Sequence, residues 1–109
     1  MNDQYEVEWA QIADDDLTEI IEYIAADNVT AAKKILNAIE TRAQSLVRFP
    51  KRGRIVPELK EFGITWYREL IFRHWRIVYR IEVSTVLIVG VFDSRRNLQD
   101  ILINRLLRF

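Results

Sequence analysis

The residues of this 109-residue chain with the means to do chemistry are its arginines and a single histidine. From Trp75 to Glu82 the chain alternates. Trp75, Ile77, Tyr79 and Ile81 share one side, and His74, Arg76, Val78 and Arg80 share the other. In the preceding segment Arg68 shares a side with Trp66 and Leu70. An antiparallel pairing of the two segments is expected to bring Arg68 beside Arg76. Arg52 and Arg54, from a basic loop, and Arg95 and Arg96, after a later strand, are expected to border that patch. A guanidinium is planar, always charged, and matched to phosphate or carboxylate. The competing use of these arginines is ion pairing with Glu58, Glu69, Glu82 and an acidic helix. His74 is a candidate general base, although a histidine beside a turn is also ordinary. With no cysteine, a disulfide framework, a thiolate zinc site and a cysteine nucleophile are excluded. Asp14, Asp15 and Asp16 are consecutive, so on a helix they point in different directions. They read as charge at a helix start and not as a metal cluster.

The elements that must position these groups follow from periodicity. Gln4 to Trp9 alternates as a half-buried strand. Ile12, Ala13, Leu17, Ile20, Ile21 and Ile24 then recur at helical spacing. Asp27 and Asn28 break the pattern and can cap a second helix from about Thr30 to Val47, with Ala32, Ile35, Leu36, Ile39, Ala43 and Leu46 as its stripe. The pair reads as a helical hairpin. Phe49–Pro57 is the basic loop, with Gly53 as its expected turn point. Thr65–Phe72, Trp75–Glu82 and Val86–Asp93 read as three strands whose short connections force antiparallel pairing. The last is apolar throughout, as expected of a strand covered on both faces. Gly90 within it suggests a close approach by a neighbour. A final helix runs from about Leu98 to Leu107. The order is β-α-α-β-β-β-α, an α+β fold with a helical hairpin on an antiparallel sheet and a C-terminal helix on the other face.

Half the residues are apolar and 11% aromatic, enough for a real core in one domain spanning residues 1–109. The apolar runs are too short to span a bilayer, and the start of the chain shows no export signal, so a cytoplasmic location is expected. Sixteen bases balance sixteen acids, which argues against a bulk nucleic-acid binder. Residues 1–32 carry nine acids and no Lys or Arg, leaving sixteen bases and seven acids for the remainder. Either the halves neutralise each other in the fold or the asymmetry marks a binding surface.

The ordered set VEW, DLTEIIEYIA, AAKKILNAIE, FPKRGRIVPEL, YREL, WRIVYRIE, IVGVFDSRRN and a closing helix containing Arg105 resembles the ParE/RelE superfamily of toxins from bacterial type II toxin–antitoxin modules. The resemblance spans nearly the whole chain. It implies the RelE/ParE-like fold and a partner antitoxin whose C-terminal segment wraps the toxin; the residues themselves give no sign of a metal or an organic cofactor. The resemblance also implies contact with DNA only through that antitoxin. ParE-like members poison DNA gyrase; RelE-like members cleave messenger RNA on the ribosome.

In the RNase reading, Arg68, Arg76, His74 and Tyr79 are the site residues. However, Leu70 stands where an alternating base is expected, and no Tyr, His or Lys follows Tyr79. The late acid or base is therefore missing, which favours the ParE-like branch. That branch needs only a target-binding surface, for which Arg95, Arg96, Arg105, Arg108 and Phe109 are the candidates. A third possibility is an inactive toxin that serves only as an antitoxin-binding corepressor. An unfilled antitoxin groove would expose apolar area and favour poor solubility or dimerisation of the free chain.

Overall fold

The computed structural model describes residues 4–107. Strand β1 (Glu6–Trp9) leads into helix α1 (Gln11–Ala25) and helix α2 (Val29–Gln44), which ends in a 3₁₀ turn at Ser45–Val47. Then come β2 (Arg54–Ile55), the one-turn helix α3 (Pro57–Lys60), β3 (Tyr67–Phe72), β4 (Trp75–Glu82), β5 (Thr85–Asp93) and α4 (Leu98–Leu106). The break between α1 and α2 is set by Asn28, whose side chain accepts the Ala31 N–H at 3.0 Å. That satisfies one of the amides orphaned at a helix start.

The sheet order is β1-β5-β4-β3-β2. β2, β3, β4 and β5 pair antiparallel in sequence, as their short connections require, but β1 joins β5 in parallel. Short links force an antiparallel partner only between consecutive strands. Everything from the hairpin to β4 separates β1 from β5, so β1 is free to run alongside. β2 and α3 are additions to the expected order, both built from the basic loop and the segment after it.

Apolar alternation divides the interior between the two faces of the sheet. On one face Ala13 and Leu17 of α1 and Ile35, Ile39 and Ala43 of α2 pack against Leu70, Trp75, Ile77, Tyr79, Val86, Ile88 and Val91. On the other, Leu98, Leu102 and Leu106 of α4 and Leu59 of α3 pack against Tyr67, Val78, Val89 and Phe92. The closing helix thus covers the second face as expected, and α3 helps it. β5 is buried on both sides, which is why its sequence never alternates with polar residues.

The β4–β5 ladder shifts register between Val78 and Tyr79: Val78 faces Gly90, and Tyr79 faces Ile88. The extra residue turns Gly90 toward the α4 side. A Cβ there would lie 2.4 and 2.5 Å from the Phe92 ring and 2.8 Å from Arg105 Nη1. The close approach expected at Gly90 is therefore real, and it comes from a bulge.

Candidate functional site

The register settles where the arginines go. Phe72 pairs with Trp75, Ile71 with Arg76, and Arg68 with Tyr79. Arg68 lies on the α-hairpin face and Arg76 on the α4 face. The expected juxtaposition of Arg68 and Arg76 is therefore overturned: a two-residue turn at Arg73 and His74 places them on opposite sides of the sheet.

Arg76 is 6% exposed, and carboxylates surround it. Its Nη1 and Nη2 donate to both oxygens of Glu58 at 2.6 Å each, and its Nε and Nη2 donate to Glu69 at 2.6 and 2.9 Å. Arg54 Nε also donates to Glu69, at 2.7 Å. α3 supplies Glu58, β3 supplies Glu69, and β2 supplies Arg54. Two cations and two carboxylates thus close a network in which the Glu69 side chain has no solvent exposure. The Glu58 bond raises the Arg76 pKa further, and the Arg76 bond holds the Glu58 carboxyl below its ordinary value. Ion pairing is the use this fold makes of Arg76, which leaves no open guanidinium face for a phosphate.

Tyr79 is equally occupied. Its hydroxyl donates to the Pro50 carbonyl at 2.6 Å and accepts the Gly53 N–H at 3.0 Å, and burial pushes its pKa up. Arg68 donates to the carbonyls of Gly53 at 2.8 Å and Lys51 at 3.4 Å. Both residues pin the basic loop. Gly53 is needed here for room: a Cβ would sit 2.6 Å from the Glu69 carbonyl oxygen and 2.6 Å from the Tyr79 hydroxyl. The chain bends at Gly53 as expected, with a φ that is not positive, so it is the close approach that requires glycine. Arg52 Nη1 donates to Ser45 Oγ at 3.0 Å and remains exposed. His74 is half-buried, its ring 3.9 Å from that of Trp75, within the β3–β4 turn.

At the other end of the sheet Arg95 folds onto Asp93, with Nε and Nη2 donating to the carboxylate at 3.0 and 2.7 Å. That contact holds the Asp93 pKa down at about 2. Arg96 is exposed. Arg105, expected at a target surface, is instead turned inward. Its guanidinium grips Asp16 of α1 and lies 4.8 Å over the Phe92 ring, while Asp16 Oδ2 accepts the Val91 N–H at 3.0 Å. β1 ends before it reaches this stretch of β5, so a side chain fills the open edge and α4 is tied to α1 around it. Sequence reasoning took Asp16 only as helix-start charge. Its spacing gives no hint of a partner 89 positions on. Arg108 and Phe109 lie outside the described residues.

Among the described residues, Asp16 is the one acid of the first 32 positions in an ion pair. Asp14, Asp15, Glu19 and Glu22 of α1 are exposed. No group of three or more His, Cys, Asp or Glu suited to a metal is present among the described residues. An open, mainly apolar groove of about 700 Å³ runs along Tyr5, Phe49, Pro50, Lys51 and Arg52.

Acid should weaken the fold through the carboxylates. Glu58 and Asp93 both have folded pKa values below their ordinary 4.5 and 3.8. A depressed carboxyl stabilises the fold above its unfolded pKa, and that contribution is lost as pH falls through the folded value. The urea midpoint is therefore expected to fall between roughly pH 4.5 and pH 2. Glu58→Gln should lower the midpoint at neutral pH and flatten this acid slope. An unchanged slope in Glu58→Gln would remove Glu58 as a source.

A helical hairpin on one face of a mixed sheet, a short closing helix on the other and a pinned basic loop define the RelE/ParE-like fold. The family model for the ParE toxin of the type II toxin–antitoxin system parDE matches residues 7–98, and the chain belongs to that family. It is 30% identical over 88 residues to Toxin ParE3 of Caulobacter vibrioides, covering 76% of this chain and 80% of that protein. Among solved structures, a chain of the chromosomal ParDE system from P. aeruginosa superposes with a TM-score of 0.67 at 17% identity, over 83% of this chain and 96% of that one. A chain of the toxin–antitoxin complex RelBE2 from Mycobacterium tuberculosis gives 0.60 at 25% identity, over 83% and 91%. A mutant of the E. coli toxin RelE in its free state gives 0.58 at 12% identity, over 97% and 98%. This chain is therefore a toxin component of a type II toxin–antitoxin system.

Proposed function

We propose that this toxin is a single domain over residues 1–109 that works in the cytoplasm by binding rather than bond chemistry. Its target is DNA gyrase, and a cognate antitoxin neutralises it. One observation carries the choice of mechanism: of the four side chains that the RNase reading needs, three are taken up by the fold, and His74 is left without the arginines and tyrosine it would work with. General acid–base work needs a group free to exchange a proton with the substrate. Arg76 is saturated by Glu58 and Glu69, the Tyr79 hydroxyl is spent on Pro50 and Gly53, and Arg68 faces the other side of the sheet. An antitoxin partner is supported by the family and by the relatives described as toxin–antitoxin assemblies. The target surface is assigned to exposed Arg96 with Arg95, together with Arg108 and Phe109. Arg105 is left out because Asp16 holds it.

Pulse-labelling of DNA and protein synthesis just after induction tests the target. DNA synthesis is expected to fall first, and Arg95→Glu/Arg96→Glu to relieve the block. An earlier fall in protein synthesis, with cleaved transcripts, would transfer the toxin to the ribosome-dependent RNase class. Undiminished growth with confirmed soluble protein would make it an antitoxin-binding corepressor alone.

A further inference from the structure

The sheet has two partly open edges, and they carry opposite charge. On β1 the amides of Glu6 and Ala10 donate to the Ser84 and Ile88 carbonyls of the β5 side. By alternation, Tyr5, Val7 and Trp9 turn their backbone groups outward. The Val47 carbonyl takes the Tyr5 N–H at 2.8 Å, while the outward groups of Val7 and Trp9 have no partner among the described residues. Glu6 and Glu8 are exposed along this strand. At the opposite edge β2 spans two residues and covers only Arg68 and Glu69, and the Val56 N–H reaches the Tyr67 carbonyl at 3.1 Å. Tyr67 and Glu69 thus face β2. The next residue in phase, Ile71, turns its N–H and C=O outward beyond the end of β2, with its side chain 49% exposed. A cleft of about 270 Å³ opens there, walled by Arg42, Arg52, Arg54 and Leu70. Glu69, also in the wall, is already neutralised by Arg76 and Arg54, so the guanidiniums of Arg42 and Arg52, neither in an ion pair among the described residues, set the sign of the cleft.

We propose that the acidic β1 edge of one copy of this chain docks in the arginine cleft at the Ile71 edge of a second copy, joining the two sheets head to tail. A peptide edge suits the cleft better than a lone anion. It can meet both the N–H and the C=O of Ile71, whereas a phosphate would meet only the N–H and would face the carbonyl. β1 brings that edge with Glu6 and Glu8 beside it. A net charge of zero leaves no long-range repulsion to keep copies apart. Each copy carries one acidic and one basic edge, so the contact is heterologous and does not close on itself. Both edges are short, since Val47 caps one and β2 caps the other. The contact falls below the roughly 1,200 Å² of a stable interface and is therefore weak and salt-sensitive. The cleft shares Arg52 with the apolar groove along Phe49 and Pro50 but is otherwise lined by other residues, and the contact does not depend on which target the toxin has.

Sedimentation velocity of the purified free chain across protein concentration, at low and high salt, tests this. At low salt the average mass is expected to rise with concentration to at least double the monomer value, and to return toward monomer in high salt. Glu6→Gln/Glu8→Gln disables the acidic edge, and Arg42→Gln/Arg52→Gln disables the cleft; all four positions are exposed. Each variant alone should stay monomeric. A mixture of the two should form a dimer and nothing larger, because one good edge remains on each, and that restoration also shows that both variants fold. A wild-type chain monomeric throughout, variants that associate as wild type does, or a mixture that stays monomeric would each overturn the proposal.

Discussion

Arg76→Ala should lose about 3–5 kcal/mol of stability, a large fraction of what a domain of this size has. The larger part of that cost is electrostatic. The substitution leaves the Glu69 carboxylate, whose side chain has no solvent exposure, with only the half-exposed Arg54 as its cation, and leaves Glu58 without its bidentate partner. An uncompensated buried charge costs more than the pair was worth in place. A urea titration at pH 7 checks this, and the shift in midpoint should exceed that of Arg68→Ala several-fold. Arg68 donates to two carbonyls near the surface, and losing such bonds costs roughly 1 kcal/mol. Replacing Arg76 and both carboxylates, as in Arg76→Met with Glu58→Gln and Glu69→Gln, should recover part of the loss, because the one charge then left alone, on Arg54, is half-exposed. If Arg76→Ala instead folded with an unchanged midpoint yet lost toxicity, Arg76 would be a target- or substrate-contacting residue and the network a bystander.

This contrast turns on a register that was within reach of the sequence. Arg73 and His74 are the only residues between the two segments, so Phe72 must face Trp75. Counting back in steps of two then places Arg68 on the side of Tyr79 and Leu70, away from Arg76. Arg73 has φ 55, the left-handed backbone that a two-residue hairpin turn demands, although arginine does not advertise it. The long strands and helices were legible because their periodicity runs for many residues. β2 and α3 were not, since two and four residues carry no period at all. They form because Glu58, Glu69 and the apolar pocket under Leu59 hold them, which is a tertiary cause. The parallel direction of β1 was equally hidden, since nothing local ties it to β5. Glu58 and Glu69 were visible as possible partners for the arginines, and only the fold shows that Arg76 takes both.

Gly53→Ala carries the other large expected effect. The new methyl would meet the Glu69 carbonyl oxygen and the Tyr79 hydroxyl at 2.6 Å each, and Tyr79 Cε1 at 2.9 Å. One of those atoms is backbone in a paired strand and the others belong to a buried ring, so the loop has to yield. If it moves, Tyr79 loses the Gly53 N–H and Arg68 loses the Gly53 carbonyl, while Pro50 drifts from the hydroxyl that holds it. Overpacking at about 1–3 kcal/mol and an unmet buried polar group at a further 1–3 kcal/mol place the total at roughly 2–6 kcal/mol. Tyr79→Phe separates the two components. It keeps the ring and removes only the hydroxyl, so it should cost about 1–3 kcal/mol. In the double variant the clash with the hydroxyl disappears but the one with the Glu69 carbonyl does not. Its loss should therefore fall well short of the sum of the two single losses. Strict additivity in a double-mutant cycle would mean that Gly53 and Tyr79 act independently, and that something other than this ring holds the basic loop.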